Sequence, residues 1–249
     1  MGSTAAVCQF AWLGQLGYTH GLRLQRALVL ARQVGRIPDT LLLLEHPPVF
    51  TLGKRREEAE RNIIAGSDAI RAMGATIEEC DRGGDVTYHG PGQLVAYPIV
   101  HVSDLPQRGV RKYVEALEDV MIEAAGAYGL VASGRRAEET GAWIGNRKLG
   151  AVGVRVSKRI SSHGIALNVC TDLRAFGLIV PCGLKDRGVT SIAAELGLEG
   201  LPVAPTAEEA ARKVQHIFGD IYERRMVEVE GEGILSLLSA AAADTDDIE

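Results

Sequence analysis

The chain is expected to fold as one α/β (α+β) domain, a mixed sheet flanked by helices, and three features carry that expectation. Residues 21–35 and 110–128 space their apolar side chains at helical intervals. Short apolar runs bounded by glycine or proline, Thr40-Leu41-Leu42-Leu43-Leu44-Glu45 above all, read as buried strands. Helices and strands alternate without a regular βαβ rhythm, which disfavours a dinucleotide-binding domain or a barrel.

In the 21–35 segment Leu22, Ala27, Leu28, Leu30, Ala31 and Val34 fall near one face, with Arg23, Gln25, Arg26 and Arg32 between them: an amphipathic helix. Residues 40–45 then make a buried central strand, stopped by His46-Pro47-Pro48, and 49–52 a second extended piece. Ser67 is expected to cap a short helix ending at Gly74, after which 75–80 form a strand feeding the Gly83-Gly84 turn. Residues 93–100 are extended, with Pro98 suited to an edge strand or a strand end. The 110–128 helix carries Val114, Leu117, Val120, Met121 and Ala124 on one face and stops at Gly129. Strands at 152–156 and 164–169, joined by the polar link 157–163, read as a pair, and 189–196 as a short helix. Thr206-Ala207-Glu208-Glu209 matches a capping box, so a helix runs to about Tyr222. The 202–205 stretch reads as a hinge before a smaller C-terminal unit. The domain is thus taken as 1–230, with 231–249 a C-terminal tail, polar and acidic at its end and expected to be partly disordered.

With 249 residues, 46% of them hydrophobic and 24% charged, the chain can bury a large core. No run approaches the roughly 20 apolar residues of a membrane span, and the start lacks the marks of a secretory signal, so a cytoplasmic location is expected. Cys8, Cys80, Cys170 and Cys182 are scattered, which speaks against a disulfide framework or a thiolate zinc site. A net charge of −5 argues against a nucleic-acid binder. Arg55-Arg56, Arg111-Lys112 and Arg135-Arg136 leave room for a local basic patch, although each pair read singly is ordinary solvated charge.

Four constellations carry chemistry. Cys182 sits between Pro181 and Gly183, a frame that can expose a side chain and bring backbone N–H groups near it, which a packing thiol does not need; a buried thiol acting as a small hydrophobe is the bland alternative. The run from Arg82 through Gly83, Gly84, Asp85, Val86, Thr87, Tyr88 and His89 to Gln93 is rich in both glycine and polar side chains, as binding loops are; a hairpin is the bland alternative. It is neither a P-loop nor a GxGxxG fingerprint. Lys148 falls in the glycine-rich stretch from Gly141 to Gly153, read as a turn, and is either a partner for a thiol or a solvated turn residue. His46, His89 and His163 each lie beside proline or glycine in separate loops. Spacing alone selects none of them as a base and gives no metal-binding pair, while His20, His101 and His216 read as surface or packing residues.

Read in order, Glu45-His46-Pro47-Pro48-Val49-Phe50-Thr51-Leu52-Gly53, the 82–93 run, the Lys148 segment, His163-Gly164-Ile165-Ala166-Leu167-Asn168-Val169 and Pro181-Cys182-Gly183 resemble the lipoyl(octanoyl) transferases of lipoate biosynthesis. The resemblance spans about residues 7–222. It implies a biotin/lipoate protein ligase-like mixed sheet flanked by helices and an acyltransferase without cofactor or metal. The implied donor is octanoyl-acyl carrier protein, and the implied acceptors are lipoyl domains of 2-oxoacid dehydrogenase complexes and the glycine cleavage H protein, with no nucleic acid or membrane partner. It places the thioester nucleophile on Cys182, its partner on Lys148, and substrate contacts on Arg82 to His89, on Ala151, Val152 and Gly153, and on Gly164, Ile165 and Ala166. Leu149 and Gly150 depart from the family's usual isoleucine and alanine or cysteine, swaps expected to reshape the pocket wall.

Chemistry and resemblance agree. Passing octanoyl from one thioester to another is nearly neutral and needs no ATP, attack by an amine then runs downhill, and a thiolate both attacks and leaves well. Val86, Ala151, Val152 and Ile165 are expected to line the alkyl slot, at about 0.8 kcal/mol per buried methylene. Acidic partners call for a basic face near the thiol, for which Arg55, Arg56, Arg147 and Lys158 are candidates. The rival readings are an ATP-dependent lipoate-protein ligase on the same fold, a thiol hydrolase or amidase, and a module that only docks acyl carrier protein.

Overall fold

Leu41, Leu42, Leu43 and Leu44 are all buried, and they alternate between two cores, so their strand has packed layers on both faces. The computed structural model describes residues 6–136, 139–180 and 187–234. In chain order the elements are β1 (Ala6–Gln15), α1 (Tyr18–Gln33), β2 (Asp39–Glu45), β3 (Val49–Leu52), α2 (Arg56–Arg61), α3 (Ser67–Ala72), β4 (Thr76–Glu79), β5 (Val86–His89), β6 (Gln93–Ile99), α4 (Val110–Gly126), β7 (Ala142–Ile144), β8 (Arg147–Ser157), β9 (Ile160–Asn168), β10 (Gly188–Val189), α5 (Ile192–Glu195), α6 (Ala207–Ile221) and β11 (Arg224–Glu228).

The main sheet runs β10-β8-β9-β6-β2-β1-β11, with β7 also paired to β8, and a small sheet runs β4-β3-β5. Pairing is parallel for β1 with β2 and with β11, and antiparallel through β2, β6, β9 and β8, so the sheet is mixed as expected. Helices α4 and α6 cover one face with Leu117, Val120, Met121, Val214 and Phe218; α1 covers part of the other with Leu24 and Leu28. A third core of Phe50, Val86, Tyr88 and Ala175 sits under the small sheet. Among the described residues no helix is long and apolar enough to cross a membrane.

Several expectations are corrected. Helix α1 buries Tyr18, Gly21, Leu24, Gln25 and Leu28, while Leu30 and Val34 are exposed, because the sheet meets the i, i+4 line through Leu24 and Leu28 rather than the one through Leu30 and Val34. Pro98 lies in an internal strand; it is tolerated because β6 pairs with β9 only from Gln93 to Ala96, and Pro98 falls beyond the last partner. The polar link 157–163 shrinks to a two-residue hairpin, Lys158-Arg159, both at positive φ as a type I′ turn demands. Residues 189–196 divide into β10 and α5, the latter capped by the Ser191 side chain. The C-terminal unit is no appendage, and 202–205 is no hinge. Behind its capping box α6 puts Ala207, Ala210, Val214 and Phe218 into the same core as α4, and β11 extends the main sheet beside β1. Order continues past residue 230, since Ile234 packs into the α1-side core; the remainder of the tail, 235–249, lies outside the described residues.

Asp39 ties these parts together. Its Oδ1 accepts from Arg32 Nε at 2.9 Å and from the His101 backbone N–H at 3.1 Å, and its Oδ2 accepts from Arg224 Nε at 3.0 Å, so one buried carboxylate joins α1, β2, the segment after β6, and β11. Removing one member of such a pair strands the other charge. Asp39→Ala is therefore expected to cost about 3–5 kcal/mol by urea unfolding, and Asp39→Leu combined with Arg224→Met to cost less than Asp39→Leu alone.

His46 fastens the start of α1 to β6. Its Nδ1–H donates to Leu16 O at 2.6 Å and its Nε2 accepts from the Tyr97 hydroxyl at 2.8 Å, an arrangement only the neutral ring can make. Burial pushes its pKa down to about 4. Between that value and the unfolded value near 6.5 the unfolded chain binds a proton that the folded one does not. The resulting stabilisation of about 3 kcal/mol is complete above pH 6.5 and is lost as pH falls through 4. Urea midpoints are expected to drop steeply from pH 6.5 to 4.5, with a shallower drop for His46→Gln; parallel slopes would contradict the assignment.

Candidate active site

The site begins where the loop before β5 meets the main sheet. Gly83 N–H donates to Val154 O of β8 at 3.0 Å. This approach requires glycine: a Cβ on Gly153 would stand 3.0 Å from Arg82 Cδ, and one on Gly53 2.4 Å from Gly84 O. The Arg82 guanidinium, 8% exposed, donates to Thr51 O at 2.9 Å, Thr51 Oγ1 at 2.8 Å and Gly83 O at 3.1 Å. Its Nε–H is buried without a hydrogen-bond partner among the described residues. A buried donor left open in this way suits an acceptor on a bound molecule.

Between this loop and the β8–β9 pair lies a cavity of about 310 Å³. It is lined from the loop side by Arg82, Gly83, Gly84, Asp85, Val86, Thr87 and His89, and from the sheet side by Ala151, Val152, Gly153, Gly164, Ile165 and Ala166; Lys148 lines it as well. Tyr88 is the exception among the described candidates. Alternation along β5 sends its ring into the core of the small sheet, where it meets Phe50 and Phe176 at centroid distances of 5.2 and 5.6 Å. Cys182 lies outside the described residues.

The chain on both sides of residues 181–186 is anchored at this cavity. On one side Val180 N–H donates to Asn62 O at 2.7 Å, and Asn62 Nδ2 donates to Asp85 Oδ2 at 2.5 Å. On the other, Val189 pairs with Lys148, and Thr190 N–H donates to Lys148 O at 2.9 Å. Lys148 itself belongs to a strand and not to a turn. Gly145, at φ +53°, and Asn146 make the turn, and the Lys148 ammonium lies 4.8 Å from the Trp143 ring centroid. Leu149 points into the α4-side core, away from the pocket wall. Gly150 does line the cavity, and a Cβ there would fall 2.5 Å from Met121 Sδ, so Met121 already fills the space an alanine would take.

The three histidines read as loop residues are gathered by the sheets. His89 ends β5 and stacks on Tyr18 at 6.1 Å, His46 stands edge-on to His89 at 5.8 Å, and His163, within β9, stands edge-on to Tyr97 at 6.1 Å. Burial lowers the pKa of all three, leaving them neutral at pH 7. The His163 Nε2–H donates to Asp81 Oδ1 at 2.8 Å. That bond, helped by the Arg155 guanidinium, holds the Asp81 carboxyl down at about 2. Gln93, the end of the candidate run, lines the cavity as well, and so do Tyr18, Tyr97 and Asn168, which were not singled out as site residues in the sequence. Among the described residues no group of three His, Cys, Asp or Glu side chains is placed to hold a metal ion.

The basic face expected near the site is largely neutralised. Arg56 pairs with Glu60 and Glu79, Arg147 pairs with Glu195 through both nitrogens at 2.9 Å, and Arg55, which lines the cavity, lies 3.3 Å from Glu58. Lys158 sits at the exposed hairpin tip.

Comparison with known proteins places this geometry in a family. Residues 17–218 match the lipoyl protein ligase A/B catalytic domain. The octanoyltransferase of Acidobacterium capsulatum is 46% identical over 220 residues, covering 83% of this chain and 88% of that one. The mitochondrial octanoyltransferase of Arabidopsis thaliana is 47% identical over 183 residues, covering 74% and 77%. In fold the chain is similar to lipoate-protein ligase A crystallised with ATP, at a TM-score of 0.74 and 16% identity over 94% of each chain. A chain so much closer in sequence to the transferases than to the ligase whose fold it shares belongs to the lipoyl protein ligase A/B family as one of its octanoyltransferases, enzymes of the acyltransferase class.

Proposed function

We propose that this enzyme takes octanoyl from octanoyl-acyl carrier protein onto Cys182 and delivers it to a lysine of lipoyl domains, those of 2-oxoacid dehydrogenase complexes and the glycine cleavage H protein. The observation that carries the reading is the cavity itself, in which the polar 82–89 run, a wall of small and apolar residues and Lys148 all meet. The Cys182 thiolate attacks the donor thioester, the bond to the carrier's sulfur breaks, and its electron pair leaves with that sulfur. Lys148 takes the proton from the Cys182 thiol or, as ammonium, stabilises the thiolate; the titrations of the two belong to the pair. The amine then attacks the new thioester and Cys182 leaves. Pairing of Val189 with the cavity-lining Lys148, and the bond of Val180 to Asn62, which in turn holds the cavity-lining Asp85, support a place for Cys182 at this site. The alkyl chain is assigned to Val86, Ala151, Val152 and Ile165.

The test is intact mass spectrometry after mixing with octanoyl-acyl carrier protein. One octanoyl adduct on Cys182 is expected, none with Cys182→Ala, and formation slowed by about 10²–10⁴ with Lys148→Ala. Transfer that survives Cys182→Ala and requires ATP would establish a ligase instead.

A further inference from the structure

The protons of one cavity histidine are fixed by two backbone carbonyls, which can only accept hydrogen bonds. Asn168 faces Thr190 O at 3.0 Å, so the facing atom is its Nδ2 and its Oδ1 turns toward Gln93. Gln93 Nε2 donates to that Oδ1 at 2.9 Å and to Tyr88 O at 3.1 Å, which turns Gln93 Oε1 toward His89, 2.7 Å from Nδ1. An amide oxygen also only accepts, so Nδ1 carries the proton. Burial, with the nearby Arg82 charge adding to it, keeps this ring neutral. The other nitrogen, Nε2, is then a bare lone pair. Among the described residues no hydrogen bond reaches it, and His89 lines the cavity.

We propose that His89 Nε2 accepts the proton of the incoming lysine amine in the second half of the transfer, with Gln93 and Asn168 as the positioning residues that set its tautomer. The assignment rests on the octanoyl relay described above. Of the groups that react in the second half of that relay, the thioester oxygen only accepts, the alkyl chain does neither, and the amine has N–H bonds to give.

The step balances. The amine lone pair forms the N–C bond and one N–H proton moves to His89 Nε2, while Nδ1–H stays on Gln93. The C–S bond breaks and its electrons go to the Cys182 sulfur. The imidazolium, made acidic by burial, then returns its proton to that thiolate, restoring thiol and neutral ring.

Two measurements on the full chain test this. In a long-range ¹H–¹⁵N spectrum of histidine-labelled enzyme, His89 is expected to show a protonated Nδ1 and a bare Nε2. Gln93→Glu, which keeps an acceptor at Nδ1, should preserve that pattern, whereas Gln93→Leu should lose it. A protonated Nε2 in the wild type overturns the inference whatever the activity. Single-turnover mass spectrometry then separates loading of Cys182 by octanoyl-acyl carrier protein from transfer to a lipoyl domain. For His89→Ala, or His89→Gln where the alanine variant does not fold, transfer is expected to slow at least 30-fold more than loading. Equal slowing of the two steps, or none in transfer, overturns the role of His89 and leaves the relay standing. Absence of any wild-type adduct overturns the relay, and with it the role.

Discussion

The site depends on a buried guanidinium that forms no ion pair among the described residues. Arg82 is held by carbonyl and hydroxyl oxygens of Thr51 and Gly83, dipoles in place of charges. Burying a cation on such terms is costly, and it persists only where the surrounding backbone is fixed. Here that backbone is Thr51 on β3 and the Gly83-Gly84 turn, itself hydrogen-bonded to β8, so the same residue that requires rigidity brings the small sheet against the large one. Gly53 and Gly153 are the residues that allow the approach. The cavity is the space left between surfaces joined in this way.

Arg82 also sets the electrostatics around it. A fixed positive charge beside His89 and His163 adds to desolvation in disfavouring the imidazolium form. Neutral rings in turn hold definite donor and acceptor roles, because each proton must sit on one nitrogen or the other. Two roles are settled by partners that can only accept, Leu16 O for His46 and, through Gln93, the Tyr88 and Thr190 carbonyls for His89. Charge on these rings would erase those distinctions.

What was legible in the sequence follows from what a local pattern can encode. β2 announces itself by an unbroken apolar run, α4 by its period and α6 by its capping box, because each signal is contained within one element. The polar residues of the 82–89 run were legible for the same reason. The cavity's contributions from Tyr18, Tyr97 and Asn168 were not, since they come from α1, β6 and β9 and become neighbours only through helix packing and strand pairing. Three histidines spread between residues 46 and 163 carry no mutual signal for the same reason. The face of α1 was misplaced because several of its apolar residues, Leu30 and Val34 among them, stay in water; composition marks what can be buried, and only packing decides what is. Gly150 shows the reverse case. Read alone it leaves a gap in the wall, whereas Met121, from a helix remote in sequence, occupies it.

The proposed relay faces one further problem, since a lone pair able to take a proton from an amine can take one from water and so hydrolyse the thioester. Transfer wins only where water is absent until the acceptor arrives. The wall opposite the polar loop is made of Ala151, Val152, Gly153, Gly164, Ile165 and Ala166, a surface that offers water few side-chain partners and fits an alkyl chain. His89 is 6% exposed and backed by Tyr18 and His46, and it lines the cavity proposed to hold the acyl chain. In the proposed relay the acyl group is both cargo and seal: while it occupies the slot it keeps water from the base. The small residues of β8 and β9 thus serve two ends, letting the arginine loop approach and keeping the thioester dry, and a bulkier wall would forfeit both.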